Sequence, residues 1–100
     1  MQTITTTIQR QWLSEIIAGT KKIEYREAKP YWRTKLSAVD CPFELRMING
    51  MRPHAPEVTV KITKITESKK YCEFRLHIGK VLGWKHWDSK SMQPKKGSSK

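Results

Sequence analysis

Gly19-Thr20-Lys21-Lys22-Ile23-Glu24-Tyr25-Arg26 joins a helical pattern to a strand pattern within eight residues. Upstream, Trp12, Leu13, Ile16 and Ile17 fall at i, i+1, i+4 and i+5, one apolar stripe on a helix over residues 9–18. Gly19 stands at C′, where a left-handed backbone carries no Cβ penalty. Downstream, residues 22–26 alternate, with Ile23 and Tyr25 on one face and Lys22, Glu24 and Arg26 on the other. Lys21 leaves the helix end with its ammonium free to project. Glu24 and Arg26 share a strand face ~7 Å apart. A helix end, a glycine and a charged strand are unusual packaging for a segment that only holds structure.

Outward from this junction the chain reads as short strands. Residues 3–8 are rich in β-branched side chains and predict a first strand. Pro30 opens a short helical turn at N1, carrying Tyr31, Trp32 and Leu36. Residues 43–48 alternate, with Phe43, Leu45 and Met47 on one face, and Asn49-Gly50 signals a turn. The loop 51–57, with Pro53 and Pro56, exposes Arg52 and His54. Residues 58–65 place Val58, Val60 and Ile62 inward. Residues 71–78 place Cys72, Phe74, Leu76 and Ile78 inward, and Gly79 marks a bulge or bend. The apolar run 80–87 contains Trp84 and Trp87, with Trp84 expected to close the barrel, and Trp12 is expected in the core. The fold class is therefore α+β: a small β-barrel of five or six strands, with one helix near the N-terminus and a short helical turn. The barrel domain spans 1–88, and 89–100 is expected to be a basic disordered tail.

One hundred residues make one small domain. No apolar run approaches the ~20 residues that span a bilayer. The N-terminus lacks the pattern of a secretion signal, so a cytoplasmic location without membrane contact is expected. Cys41 and Cys72 read as reduced thiols, and with His54, His77 and His86 they show no metal-ligand spacing. No metal and no cofactor is expected. Charge is the strongest bulk signal: twenty Lys and Arg against nine Asp and Glu give +11. Residues 89–100 supply +4 of it, leaving +7 on residues 1–88. A folded body that basic favours a polyanion, with nucleic acid first.

The opening stretch matches Gly-x-Lys-x-x-Glu-x-Arg at Gly19, Lys21, Glu24 and Arg26. It resembles the signature of the ASCH domain family, relatives of the PUA RNA-binding fold. The strand and helix before it, Trp32 just downstream and the late strand pair stand in the order such domains show. The resemblance covers roughly residues 3–87. It implies a PUA-like barrel that binds RNA or a nucleotide in a basic cleft. Lys21 and Arg26 would contact anions, Arg by forking onto phosphate or guanine. Glu24 could accept from an exocyclic amine. Trp32, flanked by Lys29, Arg33 and Lys35, suits stacking on an unpaired base. Tyr25, Arg33 and Arg52 complete the candidate nucleic-acid contacts. The plain alternative for Lys21, Glu24 and Arg26 is a surface ion pair.

The same resemblance opens a second class, a hydrolase in the same cleft with Lys21 and Glu24 as catalytic groups. Some relatives are reported as ribonucleases, and others resemble amidohydrolases of acetylated cytidine. This chain departs from the amidohydrolase pattern twice. Glu24 stands where that branch has Thr, and the late connection at residues 66–71 is short, with Glu67 as its acid. A Lys acts as base or nucleophile only with a lowered pKa, which a neighbouring Glu opposes. Binding is therefore the first expectation.

Overall fold

A computed structural model describes residues 1–95. The β-branched run forms strand β1, Thr3–Thr7. Helix α1, Arg10–Ala18, follows and leads into β2, Ile23–Glu27. Helix α2, Pro30–Ser37, has Pro at its start, where the missing N–H costs nothing. Then come β3, Phe43–Ile48; β4, Glu57–Ser68; and β5, Glu73–Lys85. Strands β1 to β5 make one sheet in the order β1-β3-β4-β5-β2. Strand β1 runs parallel to β3, and the other neighbours are antiparallel. The described residues thus form an α+β fold, with two helices and a curled five-stranded half-barrel.

Alternation sets the interior. Phe43, Leu45 and Met47 of β3 face Val58, Val60 and Ile62 of β4, and all are fully buried. Leu13 and Ile16 of α1 and Trp32 and Leu36 of α2 pack on the same core. Curvature comes from register shifts between β4 and β5, which leave Thr63, Gly79 and Leu82 outside the regular pairing. At Gly79 a Cβ would collide with the Thr63 methyl, so glycine permits the close approach that the bend needs.

The β4–β5 hairpin is longer than the sequence pattern indicated, because β4 continues through Ser68. Cys72, expected inward on a strand, lies exposed in the turn with φ 51°. That conformation ends the alternation before β5 begins. Trp84, expected to close the barrel, is well exposed, whereas Trp87 is buried. The segment after residue 88, expected to be a disordered tail, turns back as far as residue 95. Strands β6, Trp87–Asp88, and β7, Gln93–Pro94, pair. Asp88 Oδ1 accepts from the Lys90 and Ser91 N–H groups, and Met92 packs against the core. Hydrogen bonds from the Asp88 side chain and one apolar anchor thus outweigh the low-hydrophobicity composition there. The rest of that expected tail, 96–100, lies outside the described residues. Among the described residues no helix is long and apolar enough to cross a membrane.

Candidate functional site

The opening motif lies at the open seam of the half-barrel. Strands β1 and β2 are the two edges of the sheet and are not paired with each other. Gly19 has φ 83° and closes α1 in a Schellman arrangement: its N–H donates to Ile16 O at 3.0 Å, and the Thr20 N–H donates to Glu15 O at 3.0 Å. The Lys21 N–H also donates to Glu15 O, at 3.2 Å. This fixes the direction in which the chain enters β2.

Pairing then decides which face of β2 turns inward. Glu24 lies opposite Leu76, and Arg26 opposite Phe74, both core residues of β5. Directly opposed residues share a sheet face, so the charged face of β2 points into the half-barrel. Tyr25, opposite Arg75, points out and is 50% exposed.

Glu24 is only 5% exposed and holds a cation on each oxygen. Lys21 Nζ is 3.5 Å from Oε1, and Arg26 Nη2 is 2.7 Å from Oε2. Arg26 Nη2 also donates to Thr7 O on β1 at 2.8 Å, tying the two sheet edges across the seam. Its guanidinium carbon lies 5.1 Å from the Trp32 ring centre. The Nε of Arg26 is buried without a partner. The Nη2 bonds and the Trp32 ring therefore set the orientation of the guanidinium. Lys21 Nζ sits between two rings, 5.0 Å from Trp12 and 5.1 Å from Tyr25. Each contact is a cation–π geometry. The plain ion-pair reading assumed an exposed pair, but Glu24 is buried and removing it would strand two cations.

Among the described residues Arg26 lines three clefts, one of them with Tyr25, Glu27, Lys29, Tyr31 and Trp32; the two that Thr7 also lines flank the Thr7–Arg26 bridge. The larger, about 630 Å³, is lined by Thr5, Thr6 and Thr7 of β1, by Arg26, Tyr31 and Trp32, and by Ile48, Gly50, Met51 and Arg52. The smaller, about 380 Å³, is lined by Thr7, Ile8, Gln9, Trp12, Glu24, Tyr25 and Arg26. The expected site residues Tyr25, Arg26, Trp32 and Arg52 therefore meet here, with Glu24 in the wall and Lys21 between the rings. Arg33 goes elsewhere. It forks onto Glu67 of β4 through Nη1 at 3.2 Å and Nη2 at 2.9 Å, and lies over the Phe74 ring. Those hydrogen bonds hold the Glu67 carboxyl below its usual pKa range.

Thr7, Tyr31, Met51 and Trp12 belong to the site without having been singled out for it. Trp12 was expected in the core but is 38% exposed. At ~100° per residue, Leu13 and Ile16 occupy the middle of the α1 stripe, with Trp12 and Ile17 at its margins. That marginal position was the signal for a half-exposed ring. Tyr31, 59% exposed and edge-on to Trp32 at 5.9 Å, had only its place beside Trp32 to mark it.

Among the described residues no group of three or more His, Cys, Asp or Glu side chains could hold a metal ion. His54 and His86 meet edge to face at 5.1 Å, outside both seam clefts. No family model matches the chain, nor does any curated protein or any solved structure.

Proposed function

We propose that this chain is an ASCH-type domain of PUA-like fold that binds single-stranded RNA or a nucleotide in the seam between β1 and β2. The observation that carries the reading is the junction itself: Arg26 bridges the sheet edges between two clefts, with Lys21 held against two aromatic rings beside it. Cations beside exposed rings suit a phosphate next to an unstacked base. Arg52 adds a further cation at the larger cleft, and residues 1–88 carry +7 in all. Hydrolysis in the same cleft is the weaker reading, because each Glu24 oxygen already holds a cation. That arrangement makes Glu24 an organiser of Lys21 and Arg26.

The test is titration of a labelled single-stranded RNA octamer at fixed salt. The variant is the triple replacement Lys21→Gln, Glu24→Gln, Arg26→Gln, which leaves no buried charge unpaired. With the fold verified by circular dichroism, the variant is expected to bind at least about tenfold more weakly. Equal affinity contradicts the proposal. Cleavage of the RNA, or release of acetate from acetylated cytidine, abolished by Glu24→Gln would move the site to the hydrolase class.

A further inference from the structure

We propose that the seam takes two consecutive nucleotides of an RNA strand, one in each cleft, with Arg26 at the phosphodiester between them. This inference rests on the RNA-binding reading above and names its ligand as a dinucleotide step rather than a single nucleoside. The two clefts adjoin and share Thr7 and Arg26. A dinucleotide has the same layout, with two flat bases, stackable on their faces and polar at their edges, joined through one anion.

Each cleft has its own ring and its own polar groups. On the larger side Tyr31 is the exposed ring, with Trp32 beneath Arg26 as the floor. Among the described residues strand β1 pairs only with β3, so its other edge is free of their sheet ladder, and Thr5 to Thr7 line this cleft. An unpaired strand edge offers backbone donors and acceptors at fixed spacing, suited to the hydrogen-bonding edge of a base stacked on Tyr31. On the smaller side Trp12 and Tyr25 flank Lys21, and Gln9 brings an amide that both donates and accepts. A second base can stack on Trp12 there. At about 630 and 380 Å³ both clefts fall within the ~300–1,000 Å³ of small-molecule sites.

The experiment compares the four nucleoside 5′-monophosphates, the sixteen dinucleoside monophosphates and an RNA octamer by calorimetric titration at one salt concentration. A dinucleoside monophosphate carries one negative charge, while a mononucleotide carries about 1.5 to 2 at pH 7. Tighter binding of the dinucleotide therefore cannot come from charge. The best dinucleoside monophosphate is expected to bind at least about tenfold more tightly than the best mononucleotide, the gain from a second stacked base. Trp12→Leu and Tyr31→Leu, both at exposed positions, are each expected to remove most of that advantage. If the octamer binds while no dinucleoside monophosphate exceeds the mononucleotides, the two-nucleotide site is wrong and RNA binding stands. An advantage that survives both substitutions also overturns it. If no probe binds, the octamer included, the RNA reading falls and this inference with it.

Discussion

Glu24 carries the arrangement at the residue scale. Its two oxygens position a lysine and an arginine that would otherwise repel each other. Removing one partner of a buried ion pair costs ~3–5 kcal/mol, because the other charge stays behind unpaired. Glu24→Ala is therefore expected to lose about 3 kcal/mol or more in urea unfolding. The triple glutamine variant is expected to lose clearly less, since it leaves no stranded charge. Glu67→Gln, which breaks the exposed pair with Arg33, should unfold close to wild type. Sequence separated these glutamates only in part. The motif singled out Glu24, but its burial follows from β2 pairing with Leu76 and Phe74, which lie some fifty residues away. Arg33 looked like a nucleic-acid contact because it adjoins Trp32. Helix α2 sends it to Glu67 instead, a partner that no local pattern reveals.

At the scale of elements, the strand alternation of residues 43–48 and 58–62 was legible because each strand has one buried and one half-buried, more polar face. The continuation of β4 through Ser68 was not. Glu67 and Ser68 are polar enough to read as turn, and tertiary pairing overrides that local signal. Gly79 was legible as a bulge, and its contact explains why. Gly79→Ala is expected to destabilise by ~1–3 kcal/mol through overpacking against the Thr63 methyl. Thr63→Ser in that background deletes the methyl, retains the hydroxyl that faces His77 O, and should recover most of the loss. Strands β3 and β4 also carry an acid-sensitive pair. Arg46 donates to Glu57 at 2.8 and 2.9 Å, and these hydrogen bonds hold the buried Glu57 carboxyl below its usual pKa range. A carboxyl depressed in the folded state contributes its full stability above the unfolded pKa of ~4.3. That contribution is lost as pH falls through the folded value. Urea unfolding across this range should show wild type losing stability with acid, and Glu57→Gln should give a flatter acid limb.

At the scale of the whole molecule, a curled sheet leaves two edges, and among the described residues Arg26 bridges them where no strand ladder does. The sequence signalled a small barrel of short strands but not its seam, because Thr7 and Arg26 meet only after the sheet has curled. Charge and motif pointed to a polyanion, and the clefts lie where the motif falls. If RNA neutralises cations here, binding should weaken with salt by ~0.7 in log K per log salt for each phosphate contact. Arg52→Ala should lower that slope by about one such unit. The most direct test of the central claim is amide and indole chemical-shift mapping by NMR as the octamer is titrated in. Perturbations are expected to concentrate on residues 5–7, Trp12, residues 21–26, Tyr31 and Trp32, on both sides of Arg26. Shifts confined to the exposed Trp84 and Leu82 face of β5, or no shifts at all, would contradict it.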